Sequence, residues 1–425
     1  MDLHLKYNSQ LPTPNIQLSI TGSKSETNRL LLLQALYPNL VIENSSNSDD
    51  SEVMLKAIQK HTTDSRQRTT DNGQQTTVID IHHAGTAMRF LTAYFSIQEG
   101  KEVVLTGSSR MKERPIKILV EALQQLGAEI SYEENHGFPP IRIKGKKITQ
   151  NKVALPANVS SQYISALLLI APKLENGLEL TLEGEITSIP YIKMTLALLN
   201  EIGVETSFIE NIINVNSLPI INSQLLTIES DWSSVSYWYS IIALSPIGTQ
   251  VTLSSYKQNS LQGDIALVEI YKSFGVETEF NNNSITISKI NYNIKNQKSL
   301  LFNLQSSPDI AQTIAVSCFG LGLGCHLTGL HTLKIKETDR LEALKIELIK
   351  LGANVSVTND SLTLEPSEKI NENISIKTYQ DHRMAMSFAP LAIKTPIIIR
   401  EAEVVSKSYP TFWNDLEKFG FQISK

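Results

Sequence analysis

Apolar residues along the chain fall into two helical patterns. In the first, Leu119, Ala122, Leu123 and Leu126 recur at i, i+3, i+4 and i+7, the spacing of one buried helix face. The phrase LVEALQQLGAEI (119–130) then closes on glycine and opens into a strand start. It returns as TLALLNEIGVET (195–206), LVEIYKSFGVET (267–278), ALKIELIKLGANV (343–355) and NDLEKFGFQI (414–423). Gly127, Gly203, Gly275, Gly352 and Gly420 stand where a helix C-terminus needs a left-handed residue. They recur about every 70 residues, a length that holds several strands and helices in mixed α/β order. A sixth, degenerate copy at 52–60 runs into the polar stretch 61–77, which reads as an exposed loop or hairpin.

In the second pattern the helices begin polar and turn apolar nearly all round: 23–36, 84–95, 160–172, 231–244, 308–320 and 381–393. Such helices belong inside a core with only their N-termini exposed. Six repeats in 425 residues suggest two halves of three. The expected fold class is α/β, two globular halves each of three repeats around buried helices.

Composition narrows the function classes. A net charge of −5 supplies no basic field for nucleic acid. No apolar run approaches the roughly 18 residues of a membrane span, and the N-terminus reads as carrying no leader. Cys318 and Cys325 are the only cysteines and form no CxxC pattern, so a thiolate metal site or disulfide framework has no support. A reducing cytoplasm, no metal, no cofactor and a monomer are expected. No Walker loop or HExxH is present, and Gly320–Gly324 lacks the third glycine of a dinucleotide fingerprint.

The polar helix starts carry the candidate chemistry. In Ser23-Lys24-Ser25-Glu26-Thr27-Asn28-Arg29 the Ser23–Glu26 spacing is a capping box, so the helix starts at Lys24. Lys24, Ser25, Asn28 and Arg29 then share one arc of a first turn that already favours anions. A solvated cap with surface cations explains the same residues. Gly85 and Arg89 repeat the logic at the next helix, where a tight turn is the alternative. Arg110, Lys112 and Arg114 put three cations within five residues, as many solvated loops do. Ser160, Ser161, Gln162 and Ser188 with Tyr191 supply neutral donors or ordinary caps. In Lys336-Glu337-Thr338-Asp339-Arg340 one helical turn would set Glu337 beside Lys336 and Arg340, which a charge-laced surface helix would also do. Asp381 caps the helix that carries Arg383, and Lys407 stands near the C-terminus. Asp309 is a lone carboxylate, either an N-cap or a general base.

GSKSETNR, AGTAMR, RMKERP, SSQY, SIPY, PDIAQT, KETDR, DHRMAM and Lys407, in this order over roughly residues 22–410, closely resemble the EPSP synthase (3-phosphoshikimate 1-carboxyvinyltransferase) family. The resemblance implies an inside-out α/β barrel, enolpyruvyl transferase-like, of βαβαββ units with helix N-termini converging on an interdomain cleft. It implies domains at 1–20 plus 229–425 and at 21–228. The implied reaction is transfer of the enolpyruvyl group of phosphoenolpyruvate to the 5-hydroxyl of shikimate 3-phosphate, with release of phosphate. By similarity Lys24, Ser25, Arg29, Ser160, Ser161, Gln162, Ser188, Asp309 and Lys336 contact shikimate 3-phosphate. Lys24, Gly85, Arg114, Gln162, Arg340, Arg383 and Lys407 meet phosphoenolpyruvate. Asp309, Glu337 and Lys24 are the implied catalytic groups, and glyphosate is the implied competitor of phosphoenolpyruvate. The chain departs from the family pattern at His83, Phe90 and Thr332. Two alternatives stand beside this reading. One is a UDP-N-acetylglucosamine 1-carboxyvinyltransferase, whose mobile loop carries a reactive cysteine that 106–115 lacks; the other is an inactive anion-binding homologue.

Overall fold

The computed structural model describes residues 1–7, 15–63, 68–71, 74–158, 160–186, 189–291, 299–367 and 369–425. The chain divides into two compact units, Met1–Ser23 with Glu229–Lys425, and Lys24–Ile228. The N-terminal strand Leu3–Tyr7 pairs with Phe421–Ser424, which is why the first residues belong to the C-terminal unit. Gly22 bridges Ser230, and Ser23 N–H donates to the Glu229 carbonyl at 2.8 Å, tying the two crossing strands of that unit together.

The unit containing the C-terminus holds three four-stranded sheets of one topology. In each, a parallel pair continues into two antiparallel pairings. Asn15–Leu18 lies parallel to Gln250–Ser254, followed by Ser284–Lys289 and Val276–Asn281. Ser299–Asn303, Gly324–Thr328, Leu362–Leu364 and Val355–Val357 repeat the order. So do Ile374–Ile376, Ile397–Ile399, Leu3–Tyr7 and Phe421–Ser424. The other unit shows the pattern in Lys152–Pro156, Leu178–Glu183, Ile212–Val215 and Thr206–Ile209. It recurs in Gln74–Asp80, Glu102–Thr106, Ile141–Lys144 and Glu129–Tyr132, and starts again in the parallel pair Gln224–Thr227 and Leu40–Glu43.

The roughly 70-residue repeat therefore has a structural meaning. Each amphipathic helix packs against the strand that follows its glycine; the five glycines have φ between +70° and +111°. The degenerate copy differs where its sequence did. Helix Asp49–Thr63 leads not into its own sheet but into strand Arg68–Asp71, which forms a hairpin with Gln74–Asp80 at the edge of the neighbouring sheet.

Three buried helices with polar starts or apolar bodies fill the centre of each unit: Lys24–Leu36, Gly85–Ser96 and Ser161–Ile170 in one, Trp232–Leu244, Ala311–Gly320 and His382–Phe388 in the other. Strands alternate, as Leu178, Leu180 and Leu182 point inward while Glu183 is exposed, so each sheet presents one apolar face to these helices. Each large apolar side chain buried this way stabilises its unit by roughly 1.5–3 kcal/mol. The arrangement is inside-out, with helices central and sheets peripheral, but among the described residues the sheets remain separate and do not close the barrel that the resemblance implies. Two of the central helices end or begin differently from the pattern read in sequence. Pro308 and Pro390 lack an N–H and turn Pro308–Ile310 and Ala389–Ile393 into 3-10 segments.

Candidate active site

In the Lys24–Ile228 unit the site residues gather at the N-termini of the central helices. The first helix begins at Lys24, as the Ser23–Glu26 spacing predicts. Lys24 Nζ lies 3.4 Å from Asp50 at the start of the next helix, a partner that sequence reading missed because an Asp in a first turn looks like an ordinary helix-start acid. Arg29 is buried inside the unit. Its Nε donates to Thr195 Oγ1 (2.8 Å), Nη1 to the Ser25 carbonyl (2.7 Å) and Nη2 to Ser165 Oγ (3.0 Å). Phe90, one of the departures from the family pattern, places its ring 5.5 Å from this guanidinium. Burial lowers the Arg29 pKa to about 10. A cation held by hydroxyls and carbonyls keeps a positive field at the helix start, which an incoming anion would relieve.

The three cations of 110–114 part company. Arg110 pairs with Glu113 at 2.8 Å and Lys112 with Glu134 at 2.7 Å, both on the surface. Arg114 instead folds back over Gly85: a Cβ built on Gly85 would lie 2.6 Å from Arg114 Nη1 and 2.9 Å from Cζ. Its Nε is buried without a hydrogen-bond partner among the described residues. Arg89, read in sequence as a second anion group beside Gly85, points inward. It donates to the carbonyls of Gly85 (3.1 Å) and Pro115 (2.9 Å) and so holds the Arg114 segment against the helix. Gln162 Nε2 donates to Thr86 Oγ1 at 3.1 Å, linking two helix starts, while Ser160 Oγ caps its helix by accepting from Gln162 N–H. Ser161 opens that helix. Ser188 lies outside the described residues.

In the other unit the charged residues form a cage around one guanidinium. Arg340 is 2% exposed; its Nε donates to Asp381 Oδ2 (2.6 Å), Nη1 to Asp309 Oδ1 (2.8 Å) and Nη2 to Glu337 Oε2 (2.8 Å). Lys336 Nζ and Arg383 Nη2 approach Asp309 at 3.4 and 3.5 Å. The KETDR segment is not the single helical turn read from its spacing. Asp339 is the N-cap, accepting from Glu342 N–H at 3.1 Å, so the helix begins at Arg340 and Lys336 stays extended. A short acceptor side chain satisfies an otherwise unpaired N–H and so sets the start there. Lys336 and Arg340 meet through Asp309 rather than as i,i+4 neighbours. Asp381 does two jobs: it caps its helix through Arg383 N–H (2.8 Å) and anchors Arg340. The capping pattern was readable, but the second role needed the fold. Lys407 Nζ donates to the Gln380 carbonyl at 2.7 Å.

Burial alone would raise the Asp309 pKa. Lys336, Arg383 and Arg340 outweigh it and hold the carboxyl far below the usual carboxylate range. Asp309 is therefore ionised and only weakly basic while these cations lack other anions. The arrangement can bind phosphate and carboxylate groups and hold protons at defined atoms. Among the described residues, no group of His, Cys, Asp or Glu side chains is arranged to hold a metal ion, and no helix is long and apolar enough to cross a membrane. Cys318 and Cys325 are free and buried, and burial with the adjacent Cys325 pushes the Cys318 thiol well up, opposite to a reactive thiolate.

Comparison with known proteins agrees with these motifs. The sequence pattern of the family described as EPSP synthase (3-phosphoshikimate 1-carboxyvinyltransferase) matches residues 15–416. A 3-phosphoshikimate 1-carboxyvinyltransferase of Bacteroides fragilis (strain YCH46) is 46% identical over 411 residues, 96% of this chain and 95% of the relative. A protein of the same name from Haemophilus influenzae (strain Rd) is 35% identical over 422 residues, 94% of this chain and 95% of the relative. Among solved structures, EPSP synthase from Acinetobacter baumannii superposes over the whole of both chains with a TM-score of 0.78 at 20% identity. The enolpyruvyl transferase NikO from Streptomyces tendae does so with 0.71 at 13% identity, over 100% of this chain and 98% of that one. At these identities the two structures speak to the fold.

Proposed function

The chain belongs to the EPSP synthase (3-phosphoshikimate 1-carboxyvinyltransferase) family, and from that premise we infer that it transfers the enolpyruvyl group of phosphoenolpyruvate to the 5-hydroxyl of shikimate 3-phosphate, releasing phosphate. The observation that carries this is 46% identity over 96% of the chain to a protein of that name. The cage of Asp309, Lys336, Arg340 and Arg383 supplies the chemistry such a reaction needs.

In this reading Asp309 takes the proton of the 5-hydroxyl as its oxygen bonds to C2 of phosphoenolpyruvate. Glu337 delivers a proton to the methylene carbon, giving a tetrahedral ketal phosphate. A methyl proton then returns to Glu337 as phosphate leaves, aided by Lys24, and the vinyl group is restored. Anions arriving on Lys336 and Arg383 would offset the positive charge around Asp309 and return basicity to it exactly when it is needed. Lys24, Ser25 and the serines with Gln162 at the Ser161 helix start are assigned to shikimate 3-phosphate, with Arg29 adding charge from beneath. Ser188 keeps its assignment to the same substrate by the family motif alone. Arg114, Arg383 and Lys407 are assigned to phosphoenolpyruvate. Arg340 is assigned there too, but through the carboxylates it already binds, so its first effect is to hold the cage together. Buried reduced cysteines and small charged substrates fit a cytoplasmic setting.

The deciding experiment is phosphate release with each substrate alone and with both. Release only with both, in step with loss of phosphoenolpyruvate, is expected. Release with UDP-N-acetylglucosamine in place of shikimate 3-phosphate would overturn the assignment.

The Gly85 contact revises what an added methyl does. As a phosphoenolpyruvate contact implied by the resemblance, Gly85 would, if it simply lined the substrate, let an added methyl crowd a longer competitor such as glyphosate more than phosphoenolpyruvate. The nearest atoms to that methyl are those of the Arg114 guanidinium, the far end of a flexible side chain. Gly85 itself lies outside the left-handed region, so alanine strains no backbone there. The expected result is a thermal midpoint within about 2 °C of the parent with the KM for phosphoenolpyruvate raised roughly tenfold, the scale of one charge-assisted hydrogen bond. Steady-state kinetics beside a melting curve checks this, and an unchanged KM would show that Arg114 does not act on that substrate.

A further inference from the structure

Ser233 and Asp264 lie outside every motif assigned above, yet both touch the Arg383 network. Ser233 is the second residue of the Trp232–Leu244 helix, and Asp264 lies on the 3-10 turn Gly263–Ala266. Gln262 stitches these elements together, its Oε1 accepting from Trp232 N–H at 2.9 Å and its Nε2 donating to the Ser230 carbonyl at 2.9 Å. On this platform Ser233 Oγ donates to Asp264 Oδ2 and accepts from Arg383 Nη2 at 3.2 Å. Asp264 is 3% exposed, and its Oδ1 has no partner among the described residues.

A hydroxyl has one hydrogen, and an ionised carboxylate can only accept. Asp264 therefore claims the Ser233 hydrogen and leaves a lone pair facing Arg383. Burial and the Asp309 charge push the Asp264 carboxyl up to about 6, against Arg383 and Ser233, which pull it down. It is still mostly ionised at neutral pH. The contrast with Arg340 shows what the relay achieves. Arg340 is gripped directly by carboxylates, which orient it and neutralise it together. Arg383 Nη2 meets Asp309 Oδ2 at 3.5 Å and is also held by a neutral hydroxyl, with the Asp264 carboxylate one group behind that hydroxyl.

We propose that Ser233 and Asp264 are positioning residues that aim the Arg383 guanidinium at the anionic substrate phosphoenolpyruvate. This rests on the assignment of Arg383 under the proposed function.

The test measures kcat and both KM values for Ser233→Ala, Ser233→Thr, Asp264→Asn, the Ser233→Ala/Asp264→Asn pair and Arg383→Ala, with melting curves. Ser233→Ala is expected to raise the phosphoenolpyruvate KM about tenfold, the range of a hydrogen bond to a charged group. The shikimate 3-phosphate KM should stay within about twofold, and Ser233→Thr, which keeps the hydroxyl, should restore the parent value within about threefold. In the double variant Asp264→Asn should add less than about twofold, because it acts through Ser233. A parent-like phosphoenolpyruvate KM in Ser233→Ala, with Arg383→Ala impaired, would overturn the positioning role. A joint rise of both KM values with a lowered midpoint that threonine does not rescue would also overturn it, in favour of a purely structural role. A parent-like KM in Arg383→Ala would instead remove the assignment on which the proposal rests.

Discussion

Arg340→Ala is expected to be among the most destabilising single changes of a polar residue in this protein, lowering the melting midpoint by roughly 10 °C. The guanidinium lies among Asp309, Glu337 and Asp381, and the Asp381 side chain is 0% exposed. Removing it leaves a fully buried carboxylate without its ion-pair partner and sets three negative groups against one another. Breaking a buried ion pair from one side costs about 3–5 kcal/mol. For a domain of this size each kcal/mol moves the midpoint by about 2–4 °C. Arg340→Lys should recover only part of the loss, since an ammonium cannot present the planar fork that reaches three carboxylates at once. Calorimetry on the full chain reads this directly. A midpoint within about 2 °C of the parent for Arg340→Ala would mean that the cage contributes nothing net to the fold.

Asp309→Asn is expected to lower kcat by roughly 10²–10⁴, the range for loss of a positioned base, while leaving the fold intact because the amide keeps the shape of the carboxylate. The accompanying binding result is distinctive. Without the shared anion, Lys336, Arg340 and Arg383 present a more positive cluster, so the affinity for phosphoenolpyruvate should stay level or tighten as turnover collapses. A group that merely bound substrate would show the opposite, a raised KM with kcat preserved, and that outcome would remove Asp309 from the base role. The linkage sign follows from the same cations. Because the folded carboxyl is held far below its ordinary range, its contribution to stability is complete above about pH 4, the unfolded pKa. That contribution is lost only as pH falls toward the much lower folded value. The variant should therefore lose stability relative to the parent at neutral pH and converge on it in strong acid.

Periodicity was enough to place the five repeat glycines, the two helix classes and the division into repeated units, because each depends on neighbours within one turn or one hairpin. Apolar faces at helical spacing must find a core, and a chain leaving a helix through a left-handed residue needs glycine whatever lies around it. The start of the first helix at Lys24 was legible for the same reason, and the EPSP synthase motifs marked the charged residues in order along the chain. Local pattern failed where several N-terminal signals competed. In KETDR the cap fell to Asp339, so Lys336 left the helix. At 308 and 390 proline converted the turn beside it.

Which cation meets which anion depended on residues far apart in sequence. Arg110, Lys112 and Arg114 are indistinguishable within their run, yet Glu113 and Glu134 hold two of them on the surface while Arg114 turns to Gly85. Arg29 and Arg89 look alike as cations one turn into a helix. One is buried beneath a candidate anion site and the other clasps the carbonyl of Pro115. Asp381 and Asp50 read as ordinary helix-start acids until Arg340 and Lys24 are brought beside them, and the Ser233–Asp264 relay joins segments 31 residues apart. Backbone preferences act over a few bonds and are written in adjacent letters. The direction of a long charged side chain is set instead by desolvation and by whichever opposite charge the packed core delivers within about 4 Å, and only the assembled sheets and helices establish that.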